Sequence, residues 1–500
     1  MSSTEKINRR NPRPSDEERP PTHEETYSSE TERPQSPHFR NSLIPTPAGM
    51  VRFKDRFLRK GKRKIGTYES IKNIVFSSWL NVFVVFIPIS WVAHFLNANN
   101  PEGEGVFPFQ ATFVLCLLAI VPLERLFDYG GEQMAFYCGK DLGDLIVVTL
   151  NNAVEATLAI ILLTKCELKL LQSTIIGVVI LHLLLVPGAS FITGGAQIMH
   201  QDLHPHLTEL NHTLLTMGVL ALLLPAAFFA ALDRGDASLP TSANYIVNDA
   251  TRTNFLQISR GIAIILLAVY VSSRIFLHNP PGDDNALKPD PQAPLALIHE
   301  EKHLVNDEPE VSQWVCMVML AITIALMAAT AEWLVDSIEP VRNQGKIQEE
   351  WFGLVLLPIV SFAADGILSV GNFAVYIVRH ILRVERLRSS PLAKARAIDL
   401  SIQFTLFWTP FIVLLGWWTE RPMSLLFDFY EVAVLLGSCF LVNYVTADAK
   451  TNWAEGYMMV SFYLMIALTS WFYGGQGEIE ELLQAAKCAF AEGGAELTAE

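Results

Sequence analysis

Long runs of apolar residues constrain this chain more than any other feature. They recur from about residue 73 to residue 473 in blocks of roughly 18–25 residues, and a helix of that length crosses a hydrocarbon layer of about 30 Å. Only 18% of the 500 residues are charged and 51% are apolar, which is unlike an average soluble enzyme. The sequence therefore predicts an all-α, multi-pass membrane protein surrounded by lipid, and its net charge of −14 argues against nucleic acid as a partner.

Eleven membrane-spanning helices are predicted from these blocks. Their approximate bounds are 73–96, 110–128, 142–164, 170–193, 211–232, 257–277, 314–338, 351–377, 399–418, 427–446 and 454–473. Six cysteines are scattered without the spacing of a metal site, so we expect reduced structural thiols.

The charged segments between and around the spans predict the topology. Basic runs at 51–64 and 379–396 favour the cytosol by the positive-inside rule, so the N-terminus is expected to be cytosolic. The predicted organisation has six parts. They are a disordered N-terminal tail with its basic run (1–70), a first transmembrane helix (71–96), a first transmembrane repeat (97–278), an acidic cytosolic linker (279–313), a second transmembrane repeat (314–475) and an acidic C-terminal tail (476–500).

Two segments of the chain resemble each other. GDLIVVTLNNAVEA begins at Gly143 and GLVLLPIVSFAADG begins at Gly353, and each glycine precedes a carboxylate, Glu155 or Asp365, by the same spacing. Five helices separate the two copies, and an odd number inverts the second relative to the first. This predicts two inverted five-helix repeats preceded by one extra helix, an architecture of secondary transporters.

The chemistry is expected on these repeats. A carboxylate at mid-membrane depth costs at least ~2.5 kcal/mol and normally serves a function, so Glu155 and Asp365 are the candidate ligands for a cation and for protons. Asn152 lies one turn before Glu155, while Ser361 and Ser369 lie one turn either side of Asp365. Carboxylate and neutral oxygens together suit a hard cation such as Ca²⁺.

The motifs resemble those of calcium/proton antiporters of the vacuolar cation-exchanger family. That family carries Gly-Asn-Ala-Val-Glu in its first repeat and Gly-Asn-Ala-Ala-Glu-His in its second, where this chain has NNAVE at 151–155 and SFAADG at 361–366. Similar flanking text covers roughly residues 70–475, including SSWLNVFVVFIP, FGLVLLPIV and TNWAEG. The resemblance implies a fold like that of the sodium/calcium exchangers.

The resemblance also implies a function. It predicts a secondary transporter rather than an enzyme, which exchanges Ca²⁺, Mn²⁺ or another cation for H⁺ across a vacuolar or other endomembrane. Ca²⁺ is then the substrate and no cofactor is expected. The departures at Phe362, Asp365 and Gly366 leave two alternatives open: a transport-impaired paralogue that acts as a scaffold or regulator, or an antiporter selective for monovalent cations.

Further residues are candidates for an ion path. These are Glu332, Asp336 and Glu339, which form a stripe at helical spacing, together with Ser401, Gln403 and His182. The stripe is equally consistent with a helix end at the aqueous border, and His182 with a hydrogen-bonded packing residue. A second stripe, Glu124, Asp128 and Glu132, is expected to be solvated.

Overall fold

Helices account for almost all of the secondary structure. The computed structural model describes residues 47–60, 63–98, 108–195, 198–232, 248–278, 308–361, 363, 364, 366, 371, 375, 378 and 396–483. Within this part the only strands are Gln201–Asp202 (β1) and Lys450–Thr451 (β2), which pair antiparallel.

The N-terminal helices are α1 (Pro47–Phe57), α2 (Thr67–Phe76) and α3 (Phe86–Ala98), with a 3₁₀ helix at Trp79–Val85 before α3. The following group is α4 (Phe109–Cys138), α5 (Lys140–Asn151), α6 (Ala153–Thr164), α7 (Leu168–Ile180), α8 (Val186–Gly195), α9 (Pro205–Ala231) and α10 (Asp249–His278). A π-helical turn, Leu181–Leu185, joins α7 to α8.

The later group begins with α11 (Gln313–Asp336), α12 (Ile338–Gly345), α13 (Glu349–Trp351) and α14 (Leu357–Ser361), with a π-helical turn at Phe352–Leu356. It continues with α15 (Arg396–Gln403), α16 (Thr409–Trp418), α17 (Phe429–Val445), α18 (Trp453–Ser470) and α19 (Gly477–Leu483). A π-helical turn at Phe404–Trp408 joins α15 to α16, just as one joins α7 to α8.

The N-terminal part differs from the predicted disordered tail of 1–70, because α1 forms within it and α2 begins at Thr67. The Phe57 ring lies 6.0 Å from Trp314 and 6.1 Å from Tyr137, so the apolar side of a basic helix finds a packing partner. The first span also starts later than predicted. Ser78 is the N-cap of the 3₁₀ helix that opens the span, where its side chain accepts a hydrogen bond from the Leu80 amide, and the span runs Trp79–Asn97.

Seven described helices are long and apolar enough to cross a membrane, and the bent pair α5–α6 makes an eighth. The helix Phe429–Val445 is apolar but shorter, and most of the second half of the predicted span 351–377, from 362 onward, lies outside the described residues. The all-α prediction is therefore confirmed, whereas the count of eleven stays a prediction.

Contacts between the two halves are reciprocal. Helix α4 packs on α14 while α11 packs on α6, and α7 crosses the π turn after α13 while α15 packs on α5. Likewise α18 packs on α8 while α10 packs on α16, and the pairs α4–α11 and α9–α17 are in contact. Corresponding helices thus exchange partners across the bundle, as expected for two interleaved repeats.

Close helix crossings depend on glycine where the halves meet. A Cβ on Gly353 would lie 2.7 Å from Ser173 Cβ, and one on Gly177 would collide with the Leu354 carbonyl. The core around this crossing is a continuous apolar cluster that includes Leu171, Phe352 and many other fully buried side chains.

The cysteines are only partly as predicted. Cys116, Cys138, Cys316 and Cys439 are free thiols, whereas Cys166 takes part in a disulfide. The prediction of a reduced thiol is therefore wrong at Cys166, which lies in the short turn between α6 and α7.

Candidate cation-binding site

A break in the membrane helix at Asn152 creates the candidate site. Asn152 has φ −95° and ψ 8°, and the segments Leu142–Asn151 and Ala153–Thr164 meet at a 53° bend. Glu155 is therefore the third residue of a new helix, where the partial positive charge of the helix N-terminus stabilises a carboxylate. Its side chain is buried, with 3% of its surface exposed.

The Asn152 amide is oriented by contacts from the second half of the chain. Its Nδ2 donates to Gln403 Oε1 over 2.7 Å and to the Leu400 carbonyl over 3.3 Å. Its Oδ1 is buried and accepts no hydrogen bond from any described residue. The bend thus places a carboxylate and an unsatisfied amide oxygen one helical turn apart, as the sequence predicts for this pair.

Gln403 and Ser401, both predicted along the ion path, play different parts. Gln403 is buried, and its Nε2 donates to Thr149 Oγ1 over 2.9 Å and to the Tyr270 hydroxyl over 3.0 Å. Ser401 is also buried, but its hydroxyl donates to the Ile398 carbonyl of its own helix. Gln403 therefore joins the site, while the Ser401 hydrogen bond is local.

His182 lies in the π-helical turn after α7, next to Glu155. Its Nε2 is 3.8 Å from Glu155 Oε1, a separation longer than a hydrogen bond. Both side chains are buried. The structure therefore brings together a carboxylate and an imidazole that the sequence assigned to the site and to the path.

The other half of the predicted site lies outside the described part of the chain. This applies to Asp365, to Ser369 and to the side chain of Ser361. Within the described residues, no three His, Cys, Asp or Glu side chains converge to hold a metal ion. The contribution of Asp365, Ser361 and Ser369 therefore stays a prediction.

The prediction of a solvated stripe along α4 is wrong at Glu124. Its side chain is buried, and Oε2 accepts a hydrogen bond from the backbone amide of Ala364 over 3.2 Å. Asp128 is also drawn inward and pairs with Arg125 over 2.8 Å, whereas Glu132 is exposed. Helical spacing cannot show this, because the donor to Glu124 is the backbone amide of Ala364, 240 positions along the chain.

The stripe of Glu332, Asp336 and Glu339 lies at the protein surface, at the end of α11 and the start of α12. The Lys165 ammonium is 2.9 Å from Asp336 Oδ1 and 3.4 Å from Glu332 Oε1, and Glu339 is exposed. Burial lowers the pKa of Lys165, but hydrogen bonds and attraction from Asp336 and Glu332 outweigh it and leave that pKa raised. Surface ion pairs of this kind are typical of a helix end at an aqueous border, and a role of the stripe on the ion path stays a prediction.

A second buried polar cluster was not anticipated from the sequence. Lys169 on α7 pairs with Asp428 over 2.7 Å, and both side chains are buried. Asp428 and Glu431 form the capping box that begins α17, and Ser173 donates to Glu431 Oε1. We call these four residues the ion-pair cluster. Only the capping-box spacing, Asp-x-x-Glu before an apolar run, signalled part of it.

Comparison with known proteins shows which family the chain resembles. The model of the family described as sodium/calcium exchanger protein matches residues 108–277 and again 315–472, together more than half of the chain. A vacuolar calcium ion transporter of Cryptococcus neoformans var. grubii is 32% identical, with 90% of this chain and 84% of the relative covered. One from Schizosaccharomyces pombe is 29% identical, with 80% and 87% covered.

Solved structures share the fold. The structure titled native YfkE has a TM-score of 0.56 at 20% identity and covers 79% of this chain and 100% of its own. A crystal structure titled H+/Ca2+ exchanger CAX has a TM-score of 0.51 at 14% identity, with 85% and 95% covered. The two matched segments coincide with the two groups of helices that exchange partners across the bundle, and the chain belongs to the sodium/calcium exchanger protein family.

Proposed function

We propose that this protein is a secondary active transporter that exchanges Ca²⁺ for H⁺ across the membrane of a vacuole or another acidic organelle. The observation that carries the proposal is the buried Glu155 carboxylate at the Asn152 helix break, beside an amide oxygen without a donor among the described residues. Carboxylates and neutral oxygens are the ligands that Ca²⁺ takes in proteins. The fungal relatives named vacuolar calcium ion transporters agree with this chemistry.

A carboxylate suits this exchange because it binds either partner. Ionised, it contributes negative charge to a Ca²⁺ site, and after the metal leaves it takes up a proton, which removes a bare charge from an environment of low dielectric constant. Glu155 and, in the predicted second half of the site, Asp365 would each carry this alternation. Asn152 is uncharged in both the metal-bound and the protonated state, and its oxygen would be a ligand only when the metal is bound.

The driving force is sufficient in an acidic compartment. One pH unit supplies ~1.4 kcal/mol per proton, and a thousandfold Ca²⁺ gradient costs ~4.1 kcal/mol. Two or three protons moving down about two pH units therefore cover the cost. The basic runs at 51–64 and 379–396 support a cytosolic N-terminus for this arrangement.

The test uses the full-length protein reconstituted in liposomes that are acidic inside. We expect the vesicles to accumulate Ca²⁺, and a protonophore to abolish the uptake. Parallel assays with Mn²⁺, Na⁺ and K⁺ define selectivity. Uptake that persists after the pH gradient collapses contradicts antiport, and vesicles that take up none of the four cations support a non-transporting role.

A further inference from the structure

A chain of side-chain hydrogen bonds next to the candidate site links α5, α10 and α15 to Asn152. It starts at the Tyr270 hydroxyl on α10 and at Thr149 Oγ1 on α5, which both accept from Gln403 Nε2. It continues from Gln403 Oε1 to Asn152 Nδ2. Tyr270, Gln403 and Asn152 are buried, so each of these polar groups depends on its protein partner and not on solvent.

Two backbone carbonyls determine which amide atoms of Asn152 and Gln403 donate and which accept in this hydrogen-bond chain. The Leu400 carbonyl can only accept, so Asn152 must present Nδ2 to it. The Leu145 carbonyl accepts the Thr149 hydroxyl hydrogen over 2.7 Å, so Thr149 Oγ1 is left to accept from Gln403. Both constraints require the same arrangement, in which the Gln403 nitrogen faces Thr149 and Tyr270 and its oxygen faces Asn152.

The fixed direction determines what Asn152 offers to the candidate site. With Nδ2 held by Gln403 and Leu400, Asn152 Oδ1 is the atom left over, and no described residue donates to it. The opposite orientation would turn the amide nitrogen toward the site and set two oxygens against each other at Leu400. An amide nitrogen repels a cation, whereas an amide oxygen binds Ca²⁺.

We infer that Tyr270 and Thr149 are positioning residues for cation binding. They orient the Gln403 amide, and through it they hold Asn152 Oδ1 as a ligand for the transported cation. The inference rests on the proposed function and deepens it, since it assigns a role to residues that the motif does not contain. Neither hydroxyl contacts the cation in this arrangement.

The principal test is Tyr270→Phe in the full-length protein, with Ca²⁺ uptake into liposomes as the readout. The change removes one acceptor from Gln403 and preserves the ring. Losing one such hydrogen bond corresponds to about a fivefold increase in the KM for Ca²⁺, with the maximal rate close to that of the native protein. Thr149→Val should act in the same direction.

Tyr463→Phe is the matched control. Tyr463 is equally buried on α18, and its hydroxyl has no hydrogen-bond partner among the described residues. Its removal should leave the KM for Ca²⁺ unchanged. If Tyr270→Phe and Tyr463→Phe have the same KM, the positioning inference is overturned. Absence of Ca²⁺ uptake by the native protein contradicts the proposed function instead.

A second background separates orientation of Asn152 from general packing. Asn152→Ala removes the oxygen that Tyr270 is inferred to orient, so adding Tyr270→Phe to it should change the Ca²⁺ KM less than twofold. A fivefold effect in that background would show that Tyr270 acts by another route. If Asn152→Ala does not transport, calorimetric binding of Ca²⁺ to the same purified variants replaces KM, with the same two outcomes.

Discussion

Two of the buried polar clusters among the described residues differ in how their carboxylates are surrounded. At the Asn152 break, Glu155 lies one helical turn from the Asn152 amide, which bonds to Gln403, and His182 Nε2 is 3.8 Å from Glu155 Oε1. In the ion-pair cluster, Asp428 already has the Lys169 ammonium 2.7 Å away. Both clusters are buried and both connect the two halves of the chain.

A buried lysine beside a carboxylate is a fixed counter-charge, and separating such a pair is costly. The carboxylate at the Asn152 break has an amide oxygen one helical turn away, and a buried membrane carboxylate of this kind normally serves a function. We therefore propose ion exchange for the first cluster and assembly of the two halves for the second.

The largest expected effect is the loss of transport in Glu155→Gln. The amide keeps the shape of the side chain but cannot alternate between a metal and a proton, so proton-driven Ca²⁺ uptake should fall by roughly a hundredfold or more. Folding should be retained, as judged by the thermal unfolding of the purified variant. Glu332→Gln, at the exposed stripe, is the control and should transport. Normal uptake by Glu155→Gln would remove this cluster from the mechanism.

Lys169→Met should instead lower the stability of the folded protein. It leaves Asp428 and Glu431 buried without the lysine, at a cost of about 3–5 kcal/mol in stability, which thermal unfolding in detergent would detect. Replacing Asp428 by Asn in the same variant should recover part of the loss. Lys72→Met, on the exposed side of α2, is the control. An unfolding temperature equal to that of the control would show that the ion-pair cluster does not hold the halves together.

Glu124→Gln should have an intermediate effect. A carboxylate accepts the Ala364 amide hydrogen bond more strongly than an uncharged oxygen does, by about 1 kcal/mol, and this bond anchors the backbone directly before Asp365. We expect an approximately fivefold increase in the Ca²⁺ KM. Glu132→Gln, at an exposed position of the same helix, should leave the Ca²⁺ KM unchanged. Equal values for the two variants would mean that Glu124 does not support the second motif.

Lys165→Ala should have the smallest effect. Its pairs with Asp336 and Glu332 are surface ion pairs worth about 0–1 kcal/mol. The pKa of Lys165 is raised, so the ammonium stays charged through neutral pH and the effect should not change there. Ca²⁺ uptake rates measured across that range should differ less than twofold from the native rates. A larger, salt-sensitive change would place the stripe on the ion path.

Sequence patterns predicted the local features of this molecule well. The apolar blocks indicated the membrane helices, and the i, i+3 spacing of Asn152 and Glu155 placed an amide and a carboxylate together because helical periodicity is a short-range property. The resemblance of NNAVE to the exchanger motif led to the correct family.

Features that depend on distant partners were not predictable in the same way. The hydrogen bonds from Gln403 to Asn152 and to Tyr270 join different helices, and so does the Lys169–Asp428 pair. Glu124 was expected in solvent for the same reason, since its cover comes from Ala364. The sequence predicts a disordered tail where α1 forms, because the partners of its apolar side, Tyr137 and Trp314, lie on distant helices.

The most direct test of the central claim, that Ca²⁺ and protons compete for the Glu155 carboxylate, is calorimetry of Ca²⁺ binding to the purified protein. Titrations in buffers of different ionisation enthalpy give the number of protons released per Ca²⁺ bound. The account predicts proton release by the native protein and a Ca²⁺ affinity that is lower at about pH 5.5 than at about pH 7.5, because protons and Ca²⁺ compete for the same carboxylate. Both effects should be reduced in Glu155→Gln. Ca²⁺ binding without proton release, and with the same affinity at both pH values, would contradict the account.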